Sequence, residues 1–348
     1  MNTGRALSVA VIQGGPSTEA EVSRASARGV AAALQQAGHA VVRFEVDAFL
    51  SESLRTGGFD VVFPVVHGAA GEDGALQGLL EVLELAYVGS DVLGSALAMH
   101  KRIARILFVQ AGLPAACGLT LRRGGEGDAR AAAERARAAV GPRLVVKPSS
   151  QGSAIGVTRL DASASVDAVA QAIAEVWAID EFAIVEHFAR GREVTCGVLD
   201  LGAWPGPPEG AAWPGAGPRA LPPTEILSPH DPFYTYEARY APGRSVHVCP
   251  AKLPPAVIAR VQQVAVAAHV ALGCRDLSRV DFIVGDEGKP DEITLLEVNT
   301  LPGMTATSLY PEAAGMAGLS MPALCGALVT LAHKRGPTPR IAPRPLPR

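Results

Sequence analysis

The chain has 348 residues with a formal net charge of -3, which excludes the strongly basic footprint of a nucleic-acid or anionic-membrane binder. Hydrophobic residues make up 48% and charged residues 19%, the balance of a soluble globular protein, and the length predicts two or three domains. Five scattered cysteines (Cys117, Cys196, Cys249, Cys274 and Cys325) without a C-x-x-C pair argue against a disulfide framework or a structural zinc site.

The N-terminal apolar run Leu7 to Ile12 is too short for a signal-peptide core, and no run reaches the length of a membrane span. A cytoplasmic protein is expected. Ser8 to Ile12 reads as a buried strand and Gly14-Gly15-Pro16 as a turn. Thr18-x-x-Glu21 fits a capping box that opens a helix running to about Gln36, with Gly38 beyond its end. Val41 to Val46 and Val61 to Val66 are the next strands. Strands alternating with helices predict a parallel sheet covered on both faces, in a first domain over 1–90.

Asp91 to Gln110 reads as one helix, Asp128 to Ala139 as an alanine-rich helix, and Leu144 to Lys147 as a strand. The stretch Ser149-Ser-Gln-Gly-Ser-Ala-Ile-Gly156 then leads straight into the strand Val157 to Leu160. Strand, glycine loop and strand make a hairpin, not the βα turn of a dinucleotide site. Phe182 to Glu186 closes this second unit, 91–186. A third unit, 187–335, opens with the strand Glu193 to Leu199. Residues 202–223, rich in Pro and Gly, read as an irregular surface insertion. Met321 to Ala332 suits an amphipathic terminal helix, and the Pro/Arg-rich end, 336–348, is expected to be disordered.

Two strands of the third unit carry the chemistry. In Arg279-Val-Asp281 and in Glu297-Val-Asn299, residues i and i+2 share a face, because side chains alternate along a strand. Asp281, Glu297 and Asn299 are thus candidate hard-oxygen ligands for magnesium, which is normally held by one or two carboxylates plus substrate phosphates. Two amphipathic strands with a solvated face are the other reading. The loop Thr300-Leu-Pro-Gly303 follows directly and offers backbone N–H groups to an oxyanion.

The segment Leu296-Glu-Val-Asn-Thr-Leu-Pro-Gly-Met-Thr305 resembles the signature of the D-alanine–D-alanine ligase family of the ATP-grasp superfamily. Four further blocks match in order: Gly14-Gly-Pro-Ser-Thr-Glu19-x-Glu-Val-Ser23, His67-Gly-x-x-Gly-Glu-Asp-Gly74, Lys147-Pro-Ser-x-x-Gly-Ser153 and Phe233-Tyr-x-Tyr-Glu-Ala-Arg-Tyr240. The resemblance implies an α/β protein in which a Rossmann-like parallel-sheet domain precedes two α+β domains that clasp ATP. It implies peptidoglycan-precursor synthesis. In the reaction it implies, one D-alanine is phosphorylated by ATP and a second attacks the D-alanyl phosphate, with Mg2+ or Mn2+, as two ions, at Asp281, Glu297 and Asn299. It also implies a homodimer.

Residue by residue, the resemblance puts Lys101, Lys147 and Arg239 on the ATP phosphates under a flap that includes Gly152 to Gly156. Glu186, His187, Phe188 and Ala189 fall at the adenine and Glu193 at the ribose. Glu19 would hold the ammonium of the first D-alanine, with Ser153 and Tyr240 hydrogen-bonded to it. Arg279 and the Gly303 N–H would stabilise the oxyanion, Ser308 and Leu309 would receive the second carboxylate, and His67 would lie near the substrates. Each also has a plainer reading: a solvated lysine for Lys101, a dipole-favouring acid for Glu19, a structural histidine for His67, a helix N-cap for Ser308. Arg239 and His187 stand where most members carry lysine. Relatives that use D-serine or D-lactate, and a nucleotide-binding pseudoenzyme, are the alternatives. Tyr240 argues against a D-lactate enzyme, and the complete set Arg279, Asp281, Glu297 and Asn299 argues against the pseudoenzyme.

Overall fold

The structure, a computed structural model, describes residues 5–125, 127–202, 217–228, 245–285 and 292–337. Arg239, Tyr240 and the rest of the Phe233 block lie outside the described residues, as does the C-terminal segment from 338.

The first sheet is parallel, in the order β2-β1-β3, from β1 (Ser8–Gln13), β2 (Ala40–Glu45) and β3 (Val61–Pro64). Alternation along β1 fills a core on each side. Val9 and Val11 face α1 (Ala20–Gln36), while Ala10 and Ile12 face α2 (Leu50–Thr56) and α3 (Ala75–Val82). The sheet is thus covered on both faces, as its sequence pattern predicts. The capping box does not form. Helix α1 begins at Ala20, Glu19 occupies the N-cap position without a side-chain cap bond, and Glu21 pairs with Arg24 instead. The Glu19 carboxylate is engaged by a tertiary partner, Ser153.

The single helix expected over Asp91 to Gln110 is two, α4 (Val92–Met99) and α5 (Lys101–Gln110), broken at His100. The Lys101 N–H donates to the Ser149 carbonyl, 2.8 Å away, instead of continuing the first helix. A four-stranded antiparallel sheet follows, in the order β4-β7-β5-β6, from β4 (Gly118–Arg122), β5 (Leu144–Pro148), β6 (Thr158–Leu160) and β7 (Phe182–His187). Helices α6 (Ala129–Val140) and α7 (Val166–Ile179) share its apolar core, and Asp128 and Ser165 cap their first turns. Strands β5 and β6 pair antiparallel across the glycine loop, which is the expected hairpin.

The third sheet is antiparallel, in the order β11-β10-β8-β12-β13, with β9 also paired to β8. Its strands are β8 (Arg192–Leu199), β9 (Arg219–Ala220), β10 (Thr224–Leu227), β11 (Val246–Val248), β12 (Leu277–Val284) and β13 (Ile293–Asn299). The end of the supposed surface insertion is therefore structural: Arg219 and Ala220 pair with β8, and Leu221 is 1% exposed. The Pro-rich composition hid one leucine that the core needs. Helix α8 (Pro255–Ala271) packs on this sheet, and α9 (Leu309–Met316) and α10 (Met321–Arg335) follow β13.

Helix α10 returns to the start of the chain, burying Leu324, Leu328 and Val329 in the core that holds Val9, Val11 and Leu34. Arg335 at its end donates to Asp276, at 2.5 and 2.8 Å, and to the Tyr87 carbonyl at 2.8 Å. Asp276 is buried and also accepts the Gly89 N–H at 2.8 Å. Breaking such a pair strands a buried carboxylate, at a cost of about 3–5 kcal/mol. Arg335→Met is expected to lower the unfolding free energy by about 3 kcal/mol in a urea titration. A loss below about 0.5 kcal/mol would reduce the pair to an ordinary surface contact.

Candidate functional site

Two clefts border the β12–β13 hairpin, the first at Glu297 and the second at Arg279 and Asn299. Antiparallel register sets Arg279 opposite Asn299 and Asp281 opposite Glu297, with a bulge after Asp281. The expected shared face forms: Arg279 donates to both Asp281 oxygens at 2.9 and 2.8 Å. Asp281 also accepts from the Thr195 hydroxyl at 2.6 Å and from the Asn299 amide at 3.2 Å.

The first cleft is lined by Lys101, Lys147, Glu186, His187, Phe188, Ala189, Glu193 and Glu297 around an apolar middle that includes Val145, Ile155, Val157 and Leu296. Seven of these are the residues expected to bind nucleotide, and the eighth, Glu297, is an expected metal ligand. Lys147 on β5 and Glu186 on β7 are diagonal neighbours across the ladder, with Nζ and Oε2 2.6 Å apart and both residues buried. Glu193 accepts from Arg159 at 2.9 Å, and that guanidinium lies 5.2 Å from the centre of the Phe188 ring. His187 is exposed, and its backbone N–H donates to the Cys117 carbonyl. An apolar cleft that also carries two lysines can take a planar base and the anionic groups attached to it.

Lys101, at the start of α5, reaches across this cleft. Its Nζ donates to the Gln151 carbonyl at 2.6 Å and lies 3.0 Å from Glu297 Oε2.

The second cleft is lined by Glu19, His67, Glu72, Ser153, Arg279, Asn299, Gly303, Ser308 and Leu309, among others. Ser153 donates to Glu19 Oε1 at 2.5 Å, a contact spanning 134 positions. Gly68 has a left-handed φ of +73°, and a Cβ there would also lie 3.2 Å from Glu19 Oε2; a Cβ on Gly303 would lie 2.9 Å from Ser308 Oγ, so that hydroxyl would have to shift. Ser308 occupies the N-cap position of α9, but its hydroxyl is bonded to Thr305 and makes no cap bond.

His67 Nδ1 lies 3.1 Å from the Leu301 carbonyl and Nε2 lies 3.3 Å from Ser26 Oγ. A carbonyl only accepts, so the proton sits on Nδ1 and the Ser26 hydroxyl donates to Nε2. Burial pulls the His67 pKa down, which keeps the ring neutral. Ser26 in turn accepts the Met304 N–H at 3.2 Å, so the pair clasps both ends of the loop 301–304.

The sequence reading passed over several residues. Glu72 belongs to the His67 block, yet only the histidine was singled out there. It accepts the Gly68 N–H at 2.7 Å and the Leu301 N–H at 3.4 Å. Burial, reinforced by the Glu19 charge, pushes its carboxyl up to about 7. Thr195 and Arg159 carried no motif, and only strand pairing brings Thr195 to Asp281 and Arg159 to the first cleft.

The raised Glu72 value has a stability consequence. The favoured protonated form contributes fully below about pH 4.5, and the contribution is lost as pH rises through about 7. Glu72→Gln removes this titration, so at pH 8 it should resist denaturant better than the native chain, by roughly 2 kcal/mol. The gain should shrink toward pH 5. A difference that does not vary with pH sinks the assignment.

Comparison with known proteins bears on this arrangement as a whole. The family pattern described as "D-ala D-ala ligase C-terminus" matches residues 107–330, and "D-ala D-ala ligase N-terminus" matches residues 45–90. A D-alanine–D-alanine ligase of Desulforamulus reducens is 40% identical over 330 residues, covering 94% of this chain and 99% of its own. That of Acidiphilium cryptum is 43% identical over 324 residues, covering 92% and 97%. Among solved structures, the Bacillus anthracis ligase complexed with ATP superposes with a TM-score of 0.77 at 26% identity, covering 95% of this chain and 98% of that one. The Coxiella burnetii ligase gives 0.74 at 28% identity, covering 94% and 96%. The parallel sheet followed by two antiparallel sheets around a cleft is the expected ATP-grasp architecture, and the chain belongs to the D-alanine–D-alanine ligase family.

Proposed function

We infer that the chain is an ATP-dependent ligase that joins two D-alanines for peptidoglycan precursors, releasing ADP and phosphate through a D-alanyl phosphate. One observation carries the reading: a cleft suited to a nucleotide and a cleft with a buried Glu19 both border the charged face of one hairpin. A phosphoryl group leaving the first cleft needs little travel to reach a carboxylate in the second. Such transfer depends on positioning and charge neutralisation.

In this reading Lys101, Lys147 and Arg239 hold the phosphates. Glu186, His187, Phe188 and Ala189 hold adenine, and Glu193 holds the ribose. Glu193 is paired with Arg159 in the structure, so the ribose hydroxyls would share or replace that contact. Glu19 anchors the first ammonium, with Ser153 keeping its carboxylate in place and Tyr240 closing the pocket. Arg279 and the Gly303 N–H receive the developing oxyanion. Ser308 and Leu309 take the second carboxylate at the start of α9, where helix N–H groups favour an anion. His67 acts on the substrates through the loop it clasps. The three units divide near residues 90 and 186, the enzyme works as a homodimer in the cytoplasm, and it needs neither nucleic acid nor a membrane. Among the described residues no single helix is long and apolar enough to cross a membrane.

Mg2+ or Mn2+, as two ions, fits the donor set of Asp281, Glu297 and Asn299. Their oxygens are hard, and both carboxylates already face a cationic side chain, which marks the locus as one of concentrated negative charge. When bound, the metal would supply charge neutralisation on the transferring phosphoryl group. The residues of this chain do the rest by binding and orienting.

The test is ADP release by the purified chain with ATP and Mg2+. Release no faster with D-alanine than without it rejects the reading. D-serine and D-lactate in parallel assays are expected to release little. A preference for either moves the chain to the corresponding relatives. Glu297→Gln should lower turnover about a thousandfold with the fold intact by circular dichroism. Near-native turnover would remove Glu297 from the metal site.

A further inference from the structure

The candidate metal site contains a cation of its own. Lys101 Nζ lies 3.0 Å from Glu297 Oε2, with the two side chains only 13% and 19% exposed. Charges this sheltered are weakly screened by solvent ions. The same ammonium donates to the Gln151 carbonyl at 2.6 Å, so two of its three N–H donors are committed within the protein. Asp281 is likewise matched, by the two-pronged Arg279 contact. Among the described residues no group of three or more His, Cys, Asp or Glu is placed to hold a metal ion. The protein therefore offers a divalent cation two carboxylates, each with a positive charge against it, and one amide.

We propose that Lys101 is a placeholder cation that neutralises Glu297 and keeps a divalent metal off this carboxylate until nucleotide phosphates draw the lysine away. The inference rests on the nucleotide and metal assignments above and adds a coupling between them. The exchange leaves each charged group with a partner of opposite sign. Phosphate oxygens replace Glu297 as the partner of the ammonium, and the divalent ion replaces the ammonium as the partner of Glu297. Phosphate oxygens also complete a ligand shell that the side chains leave short. Lys101 is long enough to serve both partners in turn because its charge sits at the end of a flexible four-carbon stem. Arg279 has no such freedom: its planar fork is bonded to both Asp281 oxygens, so it stays as a fixed neighbour.

The coupling separates Lys101 from a purely structural lysine. Loss of a structural lysine leaves metal affinity unchanged or weakens it; loss of a placeholder strengthens it. Mn2+ binding to the full chain without nucleotide, followed by calorimetry or by electron paramagnetic resonance, reads this directly. Lys101→Met should bind Mn2+ about tenfold more tightly than the native chain, since a repelling charge has been removed at close range. Lys101→Gln should show a similar gain, and Lys101→Arg should show little. The gain should vanish when Glu297→Gln is combined with Lys101→Met. Equal or weaker Mn2+ binding by the folded Met and Gln variants overturns the proposal, as does a gain that survives Glu297→Gln. Native chain that releases ADP with D-alanine while these variants show no gain overturns the placeholder and leaves the ligase reading intact.

Discussion

The pairing of β12 between β8 and β13 is the constraint on which the site depends. Ladder hydrogen bonds on both edges fix its register, and a slip of one residue would turn Arg279 and Asp281 to the opposite face. That register puts a guanidinium, two carboxylates and an amide within a few ångströms of each other. It also supplies Thr195, from β8, as a third donor to Asp281 beside Arg279 and Asn299. Both clefts border this hairpin, the first at Glu297 and the second at Arg279 and Asn299, so its charges stand where the two approach each other.

Polar contacts between segments far apart in the chain assemble the two clefts that border this hairpin. Lys101 links the start of α5 to Glu297. Ser153 links the loop between β5 and β6 to Glu19 at the start of α1. His67 and Ser26 hold the loop after β13 against the first sheet. Ser153 and Ala154 adopt left-handed φ values of 48° and 57°, which cost non-glycine residues about 1–2 kcal/mol each. The Glu19 contact helps offset that cost, and it aims the Ser153 hydroxyl at the carboxylate. A loop with this local strain and a long-range partner is well placed to respond to what binds beneath it.

Much of the fold was legible because it follows from period. The run Ser8 to Ile12, apolar on both faces, announces a central parallel strand, and the Arg279-Val-Asp281 and Glu297-Val-Asn299 alternations announce one charged face. The misreadings occurred where a distant partner overrode a local preference. The capping box gave way because Glu19 is held by Ser153 and Glu21 by Arg24. The helix over Asp91 to Gln110 broke because the Lys101 N–H found the Ser149 carbonyl. Residues 219–221 looked like loop because the stretch 202–223 that holds them is rich in Pro and Gly, while a single leucine and a short pairing with β8 do the packing.

By itself, the sequence determined the class of chemistry and the order of its parts. Carboxylates spaced by two in neighbouring strands, a glycine loop after a lysine-ended strand, and five ordered blocks together specify the residue types that such a ligase requires. It did not determine which of those side chains touch. That Lys101 rests on Glu297, that Lys147 pairs with Glu186, that burial, reinforced by the Glu19 charge, pushes the Glu72 carboxyl up to about 7, and that α10 closes the first core were decided by tertiary structure. The physical reason is range. Backbone period and turn chemistry act over a few residues, whereas burial and pairing of charge depend on which distant surfaces the folded chain brings together.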